Sequence, residues 1–199
     1  MSLQTSREEY IKALKMGQRE ADELVSAGKD PNPQVLDELL PDIDTLTVVD
    51  VGVLEIPAER IIGTKSAGRI AAFSPSFLPL LDPKTEFAGK WISLCDAHLG
   101  TEGIRDPITC YEYLGNFYVQ EGNKRVSVLR YFGAPRIPAS VKRVMPPMSD
   151  DPRIVAYYEF VDFFKSAGIY TVQFRRPKDY AKLLALLGKE PGVKWTEDE

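Results

Sequence analysis

Residues 117–133 read FYVQEGNKRVSVLRYFG, and this short run sets the architecture of the chain around it. Its first part is aromatic and β-branched, which is typical of a strand. Gly122 then permits a positive φ, and Asn123 is a favourable N-cap for a helix whose first turn holds Lys124 and Arg125. The pattern therefore predicts a strand, a tight turn and a helix N-terminus in direct succession.

This turn predicts a binding site for an anion, with phosphate as the expected ligand. The first amides of a helix lack partners within the helix, and the helix dipole favours negative charge there. Lys124 and Arg125 would add charge-assisted hydrogen bonds, each worth about 1.5–3 kcal/mol when partly desolvated. Two cations in a first turn oppose the dipole, so an anion bound between them explains their position better. The alternative is an ordinary helix start with solvated cations.

Composition limits the classes of protein to which the chain can belong. With 199 residues, 44% hydrophobic and 27% charged, it is expected to form one globular domain, or one domain with an appendage. The net charge of −4 argues against strong non-specific binding of nucleic acid. The N-terminal residues lack the apolar core of a signal peptide and no run suits a membrane span, so we expect a cytoplasmic protein. Cys95 and Cys110 are expected to be buried free thiols.

The hydrophobic pattern predicts the elements before this run. A helix is expected over residues 6–27, with Ser6 and Glu9 as a capping box. The segment 45–57 is strongly β in character, and 84–99 is typical of an amphipathic helix. Residues 108–113 and 117–120 predict the two strands of a hairpin. The further elements expected are a short helix over 35–40 and, after the run, a strand over 140–145, a helix ending near 167, a strand over 169–174 and a helix over 179–187.

These elements suggest three segments. Residues 1–45 are expected to form an N-terminal helical extension, 46–146 the central domain, and 147–199 a helix-strand-helix extension packed on it. The aromatic side chains between Tyr157 and Phe174 are expected to form a core or a packing interface. The last residues carry no clear stop signal, which suggests a piece of a longer protein.

The stretch 53–144 resembles the ParB/sulfiredoxin superfamily, specifically the ParB N-terminal-like domain. Members open with a strand of the form Leu-x-Ile-Pro-x-x-x-Ile and continue to a basic residue and a helix. A Gly-Ile-x-x-Pro-Ile segment, a hairpin and a Gly-x-x-Arg box follow. The matching residues are, in chain order, Leu54, Ile56, Pro57, Ile61, Arg69, Gly103, Ile104, Pro107, Ile108, Gly122, Asn123, Lys124 and Arg125. No single piece is specific, but the order and spacing are.

The resemblance implies an α+β fold in which a small mixed sheet carries packed helices. The Gly-x-x-Arg box would hold the phosphates of a nucleoside triphosphate, ATP or CTP, with Mg²⁺. The residues expected to bind the nucleotide are Gly122, Asn123, Lys124, Arg125, Arg69 and Lys65. Of these, Arg69 or Lys65 would close over the phosphates from the earlier loop.

Three departures from the family pattern narrow its implications. Asn123 stands where sulfiredoxins carry a nucleophilic cysteine, which excludes their sulfur chemistry. Lys124 replaces one arginine of the chromosome-partitioning box, and no recognition helix follows, so DNA is possible but not favoured as a partner. Related phosphotransferases have an acidic-Gly-His-x-Arg box, in which Glu121 matches the acidic position and Asn123 departs from the histidine.

Two functions of different classes fit these observations. The first is Mg²⁺-dependent phosphoryl transfer or nucleotide hydrolysis, in which Glu121 holds the metal or orients the nucleophile and Glu55 acts as the base. Each carboxylate also has an interpretation without a catalytic role. Glu121 would be a helix-start residue that faces solvent, and Glu55 would be an exposed strand residue. The second function is a non-enzymatic module that associates with a protein partner or a fused domain. No membrane partner is expected.

Overall fold

The computed structural model describes residues 3–101 and 103–196. Within these residues the helices are α1 (Leu3–Ser26), α2 (Leu36–Leu39), α3 (Glu86–Leu99), α4 (Asn123–Tyr131), α5 (Pro152–Ala167) and α6 (Asp179–Leu187). The strands are β1 (Gln34–Val35), β2 (Val48–Pro57), β3 (Ile61–Thr64), β4 (Ile108–Tyr113), β5 (Asn116–Glu121) and β6 (Arg136–Val144). The chain divides into two compact units between Val144 and Met145. In the described part, no helix combines the length and the apolar character that a bilayer span requires.

The first unit is built on a mixed sheet whose six strands lie in the order β1-β3-β5-β4-β6-β2. The pairs β1-β3, β3-β5 and β4-β6 are parallel, whereas β4-β5 and β2-β6 are antiparallel. This arrangement confirms the predicted mixed α/β class. The predicted hairpin is confirmed as β4 and β5, and the strongly β segment forms β2.

Three helices share one hydrophobic core beside the sheet. Tyr10 of α1 packs edge-on against Trp91 of α3, with ring centres 5.3 Å apart. The Trp91 indole N–H donates to the buried Ser127 hydroxyl of α4 at 2.9 Å. Because a buried polar pair of this kind is costly to break, α3 and α4 hold a fixed relation to each other. This hydrogen bond therefore holds the N-terminal halves of α3 and α4 next to each other.

The predicted capping box at the start of α1 is wrong. The helix begins at Leu3, and Ser6 lies inside it with a fully buried side chain. Its hydroxyl donates to the Asp96 carboxylate of α3 at 3.2 Å. The hydroxyl therefore finds its partner on a neighbouring helix rather than on the first amides of its own.

The second unit consists of α5, α6 and an aromatic cluster, and the strand predicted over 169–174 is not formed. The Tyr180 hydroxyl accepts from the Phe174 amide at 3.1 Å and donates to the Val172 carbonyl at 3.0 Å. Tyr180 also packs edge-on against the Phe174 ring, at 4.8 Å between centres. A side chain thus satisfies backbone groups that a partner strand would otherwise satisfy. The helix-strand-helix description is corrected to two helices joined by an irregular segment.

A buried ion pair crosses the centre of the sheet. Glu112 of β4 lies opposite Arg143 of β6, and their side chains are 0% and 4% exposed. The Arg143 Nε donates to Glu112 Oε2 at 2.5 Å, and the Gly115 amide donates to Oε1 at 2.7 Å. The carboxylate therefore fixes both the pairing of β4 with β6 and the hairpin turn.

Replacing one partner of this pair is expected to be strongly destabilising. Glu112→Ala leaves a buried guanidinium without its counter-ion, which costs about 3–5 kcal/mol in the free energy of unfolding. Urea denaturation at pH 7 measures this loss. Glu55→Ala, on the exposed edge strand β2, is the control and is expected to change stability by no more than about 0.5 kcal/mol. Equal effects of the two substitutions would contradict this account of the sheet.

Candidate anion-binding site

The site begins at the turn from β5 to α4. Gly122 is the N-cap residue, with φ 103° and ψ 18° in the left-handed region. A Cβ built on Gly122 would lie 2.7 Å from the Ile108 Cγ2 and 3.1 Å from the Arg125 Nε. Glycine is therefore required by the backbone conformation and also by the close packing. The prediction that Asn123 is the N-cap is wrong by one position, because Asn123 is already the first helical residue.

The amides of the first turn of α4 have no side-chain cap. Gly122 has no side chain to supply one, and the first turn contains no acidic residue. The amides of Asn123, Lys124 and Arg125 have no acceptor within a helix, since they precede its first i→i−4 bond. An anion is the natural partner for such a turn.

A cavity of about 820 Å³ opens beside this turn. Four cationic side chains line it, and they come from three separate segments of the chain: Arg69, Lys90, Lys124 and Arg125. Two carboxylates, Glu86 and Glu121, also line it, so positive side chains outnumber negative ones by four to two. Phe73, Phe87 and Leu94 provide apolar walls.

Lys124 is electrostatically coupled to two other cations of the cavity, Arg69 and Lys90. Burial lowers its pKa, and the charges of Arg69 and Lys90 lower it further. Its ammonium group lies 5.3 Å from the centre of the Phe87 ring, which gives it a favourable cation–π contact. Both effects disfavour the charged ammonium form of Lys124, and a bound anion would offset them by favouring that form.

Arg125 combines a structural role with its place in the cavity wall. Its Nη1 donates to the carbonyls of Asp106 and Pro107, both at 2.8 Å. These bonds hold the segment that enters β4 against the start of α4. A guanidinium has five N–H donors, and among the described residues only Nη1 of Arg125 has acceptors, so the Nε and Nη2 donors could serve a ligand. Arg125 is therefore a less clean probe of ligand binding than Lys124.

Asn123 contributes a buried acceptor to the site. Its Oδ1 atom is buried and has no hydrogen-bond partner among the described residues. Buried polar atoms are usually paired, and an unpaired one is energetically costly. Because the atom has almost no accessible surface, a ligand in the cavity would reach it only after a rotation of the Asn123 side chain.

Two of the residues predicted from the sequence lie outside the cavity. Lys65 forms an ion pair with Asp37 of α2 at 2.8 Å and lies over the Tyr111 ring, 5.4 Å from its centre. Glu55 lies on β2, at the sheet edge and three strands away from β5. The structure therefore does not bring Lys65 or Glu55 to the turn, whereas Arg69 and Glu121 line the cavity.

Six residues of α3 also line the cavity, among them Glu86, Phe87 and Lys90, and the sequence analysis missed all six as site residues. Glu86 and Lys90 are one helical turn apart, on the exposed side of the helix that buries Trp91. That spacing is visible in the sequence. The sequence does not show that this helix face meets the start of α4, because their meeting depends on long-range packing.

The available ligands restrict the metal chemistry of the cavity. Among residues 3–101 and 103–196 no group of three or more potential metal-binding side chains occurs. Mg²⁺ nevertheless binds proteins through one or two carboxylates together with substrate phosphates and water, so Glu121 fits such an ion. Neither Cys95 nor Cys110 lines the cavity, and burial, with a smaller contribution from Glu112, raises the pKa of Cys110 to about 12.

Comparisons with known proteins add little to this geometry. No family model matches the chain, and no curated protein matches it in sequence. Among solved structures it is similar to sulfiredoxin from Arabidopsis thaliana, with 22% identity and a TM-score of 0.31. The alignment covers 45% of this chain and 82% of that one. A similarity this low carries no argument about function, and the fold assignment stands on the sheet topology.

The packing at Gly122 is tested by a matched pair of glycine substitutions. Gly122 and Gly133 both have positive φ, 103° and 75°, but a Cβ on Gly133 would have no atom within 4 Å. Gly122→Ala is expected to destabilise the protein by about 1–3 kcal/mol more than Gly133→Ala, because only the first adds a steric clash. Urea unfolding of both variants measures the difference, and equal losses would contradict the close packing.

Proposed function

We propose that this chain binds a nucleoside triphosphate in the cavity beside α4. The polyphosphate would contact the amides of the first turn, Asn123 to Arg125, and the cationic side chains around them. The observation that carries this proposal is the convergence of four cations, from three segments, on a helix N-terminus whose amides have no cap. Such a site offers both backbone donors and charge to an anion.

The size and lining of the cavity favour a nucleotide over a single phosphate. A volume of about 820 Å³ lies within the range of small-molecule sites and exceeds the needs of one phosphate group. Four cations are also more than one phosphate requires. The apolar walls at Phe87 and Leu94 offer a surface for the base and the sugar.

We further propose that the chain is a divergent member of the ParB/sulfiredoxin superfamily. The support is local: the Gly-x-x-Arg box of the sequence forms the strand-turn-helix from which the cavity is built. Membership would favour ATP or CTP as the nucleotide. Mg²⁺ would be held by Glu121 together with phosphate oxygens, and it would neutralise charge on the phosphates.

Binding is better supported than turnover. Phosphoryl transfer relies on positioned cations and on a residue that orients the nucleophile. Glu121 lines the cavity and is the observation in favour of this second candidate, but Glu55 is too distant to act as its base. We therefore propose a nucleotide-binding module that associates with a protein partner or a fused domain, with hydrolysis as the second candidate.

Lys124→Gln is the most direct test of nucleotide binding. Calorimetric titration with ATP, CTP and GTP in the presence of Mg²⁺ is expected to give binding of at least one nucleotide to the native protein. Lys124→Gln should weaken that binding at least about tenfold, because a charge-assisted hydrogen bond is worth about 1.5–3 kcal/mol. Lys65→Gln, which removes a cation outside the cavity, should leave the affinity unchanged.

The controls separate the two candidate functions. Failure of every nucleotide to bind, or equal losses in the two lysine variants, would contradict the proposal. Phosphate release is then followed under the conditions of tightest binding. A module binds without Mg²⁺-dependent release, whereas an enzyme shows release that Glu121→Gln abolishes and Glu55→Gln retains.

A further inference from the structure

An ion pair stands at the mouth of the cavity. Glu86 and Lys90 lie one turn apart on α3, and the Lys90 Nζ is 2.5 Å from the Glu86 Oε1. The same two residues line a second, smaller cavity of about 370 Å³, together with Arg69 and Lys124. The Glu86 carboxylate therefore lies on the same cavity wall as the cations that would bind a polyphosphate.

This ion pair contributes little to the stability of the fold. The Glu86 and Lys90 side chains are 82% and 61% exposed, and exposed pairs of this spacing are weak. It can therefore be broken at little cost to the rest of the protein. The carboxylate nevertheless responds to the charge of the site, because the hydrogen bond from Lys90 lowers its pKa and the charges of Arg69 and Lys124 lower it further.

We propose that Glu86 is an internal competitor for the anion site. It neutralises Lys90, and a polyphosphate that enters the cavity takes over Lys90 and releases the Glu86 carboxylate. This inference rests on the proposed function and deepens it, because it names a residue that lowers the affinity of the site.

The test compares glutamate substitutions in two ion pairs of the same spacing. Native protein, E86Q and E23Q are titrated calorimetrically with inorganic tripolyphosphate at low salt and without divalent metal. E86Q is expected to bind tripolyphosphate about two- to fivefold more tightly than the native protein, because an exposed ion pair is worth no more than about 1 kcal/mol. E23Q removes the carboxylate that pairs with Arg19 on α1, away from the cavity, and should bind as the native protein does.

The outcomes distinguish this inference from the proposed function. If the native protein binds tripolyphosphate and E86Q binds equally or less tightly, the competitor role is overturned and the nucleotide proposal stands. If neither protein binds tripolyphosphate, both proposals fall. Lys90→Gln provides a second variant. It should weaken tripolyphosphate binding if Lys90 exchanges the Glu86 carboxylate for the ligand as its ion-pair partner. An unchanged affinity of Lys90→Gln would also overturn the inference.

Discussion

The backbone at Gly122 takes a left-handed conformation with Ile108 and Arg125 packed directly against it, and the placement of α4 depends on this contact. A side chain would clash at that position, so it must be glycine. The left-handed conformation of this glycine turns the chain from β5 directly into α4. Arg125 then binds the carbonyls of Asp106 and Pro107, which ties the entry of β4 to the same turn. One local constraint thus orders two strands and a helix, and it leaves the first amides of that helix uncapped.

Two contacts elsewhere in the first unit fix the elements that surround this turn. The Trp91–Ser127 hydrogen bond holds α3 beside α4, which brings the α3 cation Lys90 to the cavity. The ion pair between Glu112 and Arg143 fixes the sheet beneath. These contacts maintain cations at a helix N-terminus, where the helix dipole disfavours them. The contacts elsewhere in the fold offset this unfavourable placement, and a bound anion would reduce its cost.

The sequence predicted the parts of the fold and site that depend on neighbouring residues. The hairpin, the β2 segment and the turn at Gly122 follow from strand propensity and from glycine, which act locally. Long-range contacts account for the failures. Ser6 found its partner on α3, Tyr180 satisfied the backbone where a strand was predicted, and Lys65 paired with Asp37, 28 residues earlier in the chain. The cavity residues of α3 were missed for the same reason, because their meeting with α4 depends on packing.

The backbone amides at the start of α4 offer the most direct test of the central claim, that this turn binds a polyanion. Tripolyphosphate is titrated into ¹⁵N-labelled protein, and the amide resonances are followed by NMR. We expect saturable shifts for Asn123, Lys124 and Arg125, and none for the amides of α6. Unchanged resonances at these three positions, or shifts confined to other parts of the chain, would contradict the account.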